Sequence, residues 1–486
     1  MAQRAMSTHA DSTAGSLWRP FRASIFRKLF VADLLSDIGT FMQSVGAAWL
    51  MVSLGTSNTM IALTQTASSL PFFLFALPAG AIGDIVDRRK LILACEYWMA
   101  GVAVVMAVAT IGGVMSPWLL LALTFALSAG DAFETPTWRA VLPELVDTTD
   151  LASASALNGI EFNLARAVGP ALAGALIAVA GVGSAFIVNV LSFAGVIVVI
   201  TRWKRPRRKR STPVETLSGA TLAAVRYVRY SPVLLLVMLR AGATMFAASA
   251  LLALLPAVAR TMSGGPIGYG VLLGCFGAGA ILGALAMQPA RRRWSFERVA
   301  AGAVAVFGGM VVAASVVRSM ALLGIVLIAA GAGWIVFISL ISALVQTLAP
   351  DWARARVLAV FILVFQGGSA AGSAVWGAVA TRIGIPTTFL YAGLATIATL
   401  ALSALGKLPD TGVDMTPWNH WRMPAIVEDA RAFALGPALV TVQYRVRPGH
   451  EDAFLKSVDK YRRIRLRDGA SWWGIFRDLE DDRLYA

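Results

Sequence analysis

The sequence predicts an all-α membrane protein, twelve transmembrane helices in two six-helix bundles, followed by a small partial α+β tail. Three observations carry that expectation. The composition is too apolar for a water-facing surface, twelve apolar runs are each long enough to cross a bilayer, and basic residues gather in every second connection between those runs.

Hydrophobic residues make up 57 % of the 486 residues and charged residues only 14 %, where a soluble domain carries about 25 %. The apolar surplus has to face lipid. Cys95 and Cys275 lie inside apolar runs, at a spacing that suits neither a disulfide framework nor a metal site, so no metal and no cofactor is expected. His9, His420 and His450 all lie outside the apolar runs, which excludes a histidine-based relay within the membrane. Residues 1–17 begin polar and small, and are expected to be disordered without a cleavable signal peptide.

A helix needs roughly 20 apolar residues to cross the hydrocarbon. Such runs fall at 29–53, 59–83, 91–112, 117–138, 154–179, 182–202, 232–257, 268–289, 299–317, 320–345, 357–381 and 386–406. Arg19, Arg22, Arg27 and Lys28 precede the first run, and Arg88, Arg89 and Lys90 follow the second. Arg139 follows the fourth, a cluster from Arg202 to Arg210 the sixth, Arg291 to Arg293 the eighth, and Arg354 and Arg356 the tenth. The alternate connections hold at most single residues, Arg260, Arg318 and Arg382. By the positive-inside rule both termini are cytoplasmic. The same rule accounts for the net charge of +15, so nucleic acid is not needed as a partner.

Residues 18–202 form the first bundle, 203–231 a cytoplasmic linker, 232–408 the second bundle, 409–436 a second linker and 437–486 the tail. In the first linker Leu217, Leu222, Val225 and Val228, with Arg226 and Arg229, have the spacing of a helix on the lipid surface. A weak repeat relates the halves. Gly80, Asp84 and Arg88–Arg89–Lys90 recur at the same offsets as Gly283, Met287 and Arg291–Arg292–Arg293. Two six-span repeats are what an alternating-access transporter shows. In the tail, alternation over 439–446, an amphipathic stretch through Phe454, Leu455, Val458 and Tyr461, and a second apolar run over 471–479 predict a β-α-β unit with a third strand beginning at the end. Trp472 and Trp473 are expected in its core.

The segment from Gly80 to Lys90 resembles motif A of the major facilitator superfamily, G-x-x-x-D-R-x-G-R-R/K, through Gly80, Asp84, Arg88 and Arg89, with Ile85 and Asp87 departing from it. Asp84 past a helix end can accept hydrogen bonds from a neighbouring helix N-terminus, a contact able to latch one conformation. Gly159, Gly169, Pro170 and Gly174 resemble motif C, G-P-x-x-G-G, associated with antiporters, with the final glycine pair displaced. Small residues there let helices pack closely. With the stretches Gly39–Gln43 and Glu134–Leu145, residues 18–406 look like a major facilitator transporter of the enterobactin-exporter-like, transmembrane secretion effector branch. The tail resembles the first half of an antibiotic-biosynthesis-monooxygenase domain, a ferredoxin-like fold. The second half of that pattern is missing, so no enzymatic activity is expected.

Ionisable residues within spans are costly and mark function. Asp33 and Asp37 share one face of the first span, Asp131 and Glu134 lie in the fourth, and Glu161 and Arg166 in the fifth with Asn158 and Asn163. Arg240 lies in the seventh and Gln366 in the eleventh. Asp37, Glu161, Arg240 and Gln366 all fall about 10–15 Å from the cytoplasmic side, which suggests one polar layer around a cavity. No phosphate-binding G-x-x-x-x-G-K-[ST] loop is present, which leaves an ion gradient as the energy source and Asp37 and Glu161 as first choices for proton carriers. The expectation is a monomeric, proton-coupled exporter of a small organic molecule, in contact with membrane lipids. An importer of the same fold and a membrane-anchored enzyme with its chemistry in the tail are the alternatives.

Overall fold

The structure is a computed structural model. It describes residues 17–203, 205, 225–262, 264–350, 353–409, 440–468, 470, 472–478, 481 and 483–486. The described residues between 24 and 405 include twelve long helices, besides a helical stretch at 225–229: α1 (Ser24–Ser53), α2 (Asn58–Ile85), α3 (Arg88–Ile111), α4 (Pro117–Leu145), α5 (Leu151–Ala180), α6 (Val182–Arg202), α7 (Pro232–Thr261), α8 (Gly265–Arg293), α9 (Phe296–Val316), α10 (Met320–Leu348), α11 (Arg354–Ile383) and α12 (Ile385–Ala398). A 3-10 segment, Thr399–Leu405, prolongs α12. Helix starts follow local chemistry. The side chains of Ser57, Asp87, Ser116 and Ser295 accept hydrogen bonds from backbone N–H groups of the first turns of α2, α3, α4 and α9, which satisfies donors that a helix leaves open. Gly181 and Gly384, at φ 77° and 81°, turn the fifth helix of each half into the sixth. Only glycine reaches that backbone region without strain, and its recurrence at equivalent points is a structural trace of the internal repeat.

Ten helices among the described residues are long and apolar enough to cross a membrane. Against the expected twelve, α1 and α4 fall short. The reason is their polar content: Asp33, Asp37 and Gln43 in α1, Asp131 and Glu134 in α4. The two helices least suited to lipid are the two that carry most of the carboxyls.

Within the first half α1 packs on α5 and α6, and α3 and α4 pack on each other. In the second half α7 packs on α11, α8 on α10, and α9 on α10 and α12. The halves meet chiefly where α2 runs along α11 and α5 along α8. Gly174 and Gly270 make the second contact possible. A Cβ on Gly174 would lie 2.6 Å from the Pro266 carbonyl oxygen, and one on Gly270 2.6 Å from that of Pro170.

The distribution of the core tells which end is closed. One apolar cluster spans both halves, joining Met42, Val45 and Ile177 to Leu251, Leu255 and Phe307. It lies toward the end carrying the sparsely charged loops. Polar contacts tie that end as well: Asn58 Nδ2 donates to the Ala380 carbonyl (3.2 Å), Thr59 Oγ1 contacts Thr381 Oγ1 (2.8 Å), and Arg260 donates to the Val52 carbonyl (3.0 Å). Toward the basic end the cores are separate, one around Phe26, Ile92 and Leu157, the other around Tyr227, Leu340 and Val357. A Cβ on Gly80 or Gly159 would meet nothing within 4 Å. The two halves are therefore joined at the sparsely charged end and part toward the basic one. Outward faces are apolar, with Val108, Leu191, Leu285 and Ile325 exposed, as lipid contact requires.

The first linker is described only at 203, 205 and 225–231. Tyr227 and Val228 are buried in the second-half core, while Val225 is exposed; Leu217 and Leu222 lie outside the described residues. In the tail, β1 (Tyr444–Arg445) pairs antiparallel with β2 (Leu484–Tyr485), and helix α13 (Glu451–Asp468) lies between them in sequence. A bridge joins Arg477 to Tyr485. The paired segments are shorter than the expected strands. The core placement of Trp472 is corrected: it is 63 % exposed and stacks on Phe476, itself 60 % exposed, at 5.9 Å. The core of the unit is instead made by Val446, Val458 and Tyr485. Residues 410–436 of the second linker lie outside the described residues.

Candidate functional site

The candidate site is a group of carboxyls inside the first half, on the part of the bundle nearer its basic end. Asp33 and Asp37 come from α1, Glu96 from α3, Asp131 and Glu134 from α4 and Glu161 from α5. Helical spacing places Asp33 and Asp37 on one face. The Asp37 and Glu161 side chains come within hydrogen-bonding reach of each other, and Oε1 of Glu161 has no hydrogen-bond partner. Glu161 is only 3 % exposed. Arg166, one and a half turns further along α5, is close enough to act on Asp37, while its guanidinium lies over the Phe162 ring at 4.8 Å. Asp33 lines, with Phe26, Trp138 and Asn158, a small pocket among α1, α4 and α5. Asp131 accepts from Thr135 Oγ1 (2.9 Å). Two carboxyls in contact, with one arginine close by, can take up or release a proton as the surrounding charge changes.

Arg240 does not join this group. Its guanidinium donates to both oxygens of Glu297 (3.0 and 2.8 Å) and to the Gly406 carbonyl (2.8 Å). Glu297 also accepts from the Leu408 backbone N–H (2.9 Å). This knot ties α7, the start of α9 and the end of the second bundle together. Gln366 is half-buried in α11, beside Gly367, which packs on Phe73 of α2. The four-member layer expected from depth alone thus comes together only in its first-half members.

At the basic rim of the first half a second network surrounds the motif that follows α2. Arg88 donates to the Ala140 carbonyl (2.8 Å) and to Glu144 (2.9 Å). Arg205 donates to both oxygens of Glu144 (2.7 and 2.8 Å) and to Asp87 (3.0 Å). Arg89 donates to the carbonyls of Ile200 and Thr201. The loop is thereby fastened to α4 and α6 of its own half. Burial alone would raise the Glu144 carboxyl, but its hydrogen bonds to Arg205, with the charges of Arg205 and Arg88, hold it below the usual carboxylate range. Asp84 lies in the last turn of α2; its side chain lies outside the described residues. Of the motif in α5, Gly169 packs on Phe41 and Ile38 of α1, Gly174 on α8, and Gly159 touches nothing.

Sequence reasoning passed over Glu96, Glu144, Arg205 and Glu297. Glu96 lies inside the third apolar run, 91–112, as an ionisable residue that belongs with the intramembrane carboxyls. The other three lie in or beside connections, where a charge carries no signal by itself.

Twelve helices in two equivalent halves, joined along α2–α11 and α5–α8, around ionisable groups within the spans, define a major facilitator transporter. Residues 15–486 match the family described as transmembrane secretion effector, and the chain belongs to that family. It is 26 % identical over 380 residues to the multidrug efflux pump Tap of Mycolicibacterium fortuitum, covering 75 % of this chain and 91 % of that one. It is 25 % identical over 271 residues to the enterobactin exporter EntS of Salmonella typhi, covering 54 % of this chain and 62 % of that one. With the staphyloferrin A transporter of Staphylococcus aureus it shares 24 % identity over 166 residues, spanning 34 % of this chain and 42 % of that one. Among solved structures the nucleoside transporter NupG superimposes with a TM-score of 0.60 at 14 % identity, covering 78 % of this chain and 98 % of that one. A bacterial homologue of ferroportin in an inward-facing state gives 0.58 at 16 %, covering 79 % and 97 %. These two likenesses are of fold.

Proposed function

We propose that the protein is a proton-coupled exporter of small organic molecules, drug- or siderophore-like, working by alternating access in a bacterial cell membrane. The observation that carries the reading is the close Asp37–Glu161 pair, Glu161 buried and Asp37 half-buried, in the half of the membrane nearer the basic loops, with Arg166 beside it. In this reading all twelve helices span, both termini are cytoplasmic, and the parted basic end is the cytoplasmic mouth. Asp33, Asp37, Asn158, Glu161 and Arg166 line the exchange region, with Glu134 behind them. Arg240 and Gln366 stand on the facing half. Gly80, Asp84, Arg88 and Arg89 form the element that latches the cytoplasmic mouth when it closes, Gly80 leaving room for α11 to approach. The names of the efflux and siderophore relatives support the direction and the substrate class. Residues 437–486 are a partial ferredoxin-like unit without catalysis, since the intramembrane charges and both motifs lie upstream.

The test is accumulation of a panel of siderophores, antibiotics and dyes in cells with and without the gene, each with and without a protonophore. At least one compound should accumulate less in expressing cells, and the protonophore should abolish the difference. Higher accumulation in expressing cells would reverse the direction, and insensitivity to the protonophore would reject proton coupling.

A further inference from the structure

A second pair of touching carboxyls lies in the first half, between α3 and α4. Glu96 and Glu134 are 3 % and 9 % exposed, and their side chains come within hydrogen-bonding reach of each other. Helices α3 and α4 approach closely at this level, because a Cβ on Gly130 would lie 2.5 Å from Met99 Cγ. The groups facing the pair are Asp131 from α4, Asp33 and Asp37 from α1, and Cys95 beside Glu96 on α3. No cation is among them. Independently of these contacts, Oε2 of Glu96 is fully buried and has no hydrogen-bond partner.

Two ionised carboxylates side by side at so buried a place repel each other strongly, and one shared proton removes that repulsion. We propose that Glu96 and Glu134 form a second proton-binding site, one proton held between the two carboxyls, filled and emptied through Asp33. Asp33 suits that part because it lines the pocket among α1, α4 and α5 and lies near both pairs, within electrostatic reach of Glu96 on one side and of Asp37 and Glu161 on the other. No covalent step is involved: the proton passes between carboxyl oxygens and water at the pocket mouth. The use of the site in transport rests on the proton-coupled reading. Its existence does not.

Infrared spectroscopy of the purified full-length protein reads the proton directly, through the C=O stretch of protonated carboxyls at neutral pH. The background is Asp37→Asn with Glu161→Gln, which removes the other pair. Adding Glu96→Gln and Glu134→Gln should remove band intensity equivalent to one carboxylic acid, with the helical amide bands unchanged. Glu96→Gln alone, a gentler alteration, should shift or diminish the band. Asp33→Asn should slow its shift on transfer to heavy water. An unchanged band in both the single and the fourfold variant would overturn the site, and an unchanged exchange rate in Asp33→Asn would overturn the route. Should efflux prove insensitive to protonophore while the band behaves as stated, the coupled-transport reading falls and the site stands. The opposite pattern rejects the site alone.

Discussion

Glu144 sits under two guanidinium groups, and its carboxyl is held below the ordinary glutamate value of about 4.3. A carboxylate whose folded value is lowered stabilises the protein at neutral pH, and that contribution fades as pH falls through the lowered value. Glu144→Gln should therefore lower the melting temperature at pH 7, and its difference from the parent protein should narrow below about pH 4. Thermal unfolding at the two pH values checks this. Asp37 and Glu161 carry the functional expectation at the same scale: Asp37→Asn or Glu161→Gln should flatten the pH dependence of efflux, whereas efflux of unaltered rate and pH profile in both would rule out their coupling role. A carboxyl inside an apolar run has few structural explanations, which singles these two residues out in the sequence; Glu96 lies in such a run as well. Arg240 looked equivalent by depth, yet its partner Glu297 comes from the start of α9, 57 positions away. No periodicity relates the two, so only the packed bundle shows that Arg240 is engaged.

At the scale of elements, the helices and their order follow from apolar run length, and the turns from glycine at Gly181 and Gly384. Which faces meet does not follow. Small residues in α5 and α8 announce close packing somewhere, but Gly169 serves α1, Gly174 serves α8 and Gly159 serves neither in this conformation. The Gly174–Gly270 contact joins α5 to α8 at the sparsely charged end. Gly174→Leu would push side-chain atoms into the backbone of α8, and overpacking of this kind costs about 1–3 kcal/mol. A bias of that size changes the balance between closed and open forms by roughly 5- to 150-fold. Spin labels at Thr56 and Ile383 should thus report longer distances in Gly174→Leu, together with reduced transport. Unchanged distances would mean that this end is held elsewhere. In the tail the alternation over 439–446 ends as a two-residue strand, 471–479 gives only a bridge at Arg477, and Trp472 turns outward onto Phe476.

For the whole molecule, the proposed orientation with both termini cytoplasmic predicts that cysteine at Arg207 is labelled from the cytoplasmic side alone. Removing residues 425–486 should leave transport largely intact at normal membrane expression, since the carboxyl group and both motifs lie upstream; loss of transport would make the tail a working part. The central claim is that an exporter of this architecture exchanges protons at carboxyls gathered in its first half. Reconstituted vesicles under an imposed pH gradient test it most directly, with an exported compound from the panel and a proton-sensitive dye on the other side. Movement of the compound against its own gradient, with counterflow of protons that disappears in Asp37→Asn and Glu161→Gln, is the result expected. Transport that proceeds equally without the pH gradient, or proton counterflow that persists in both variants, would contradict it.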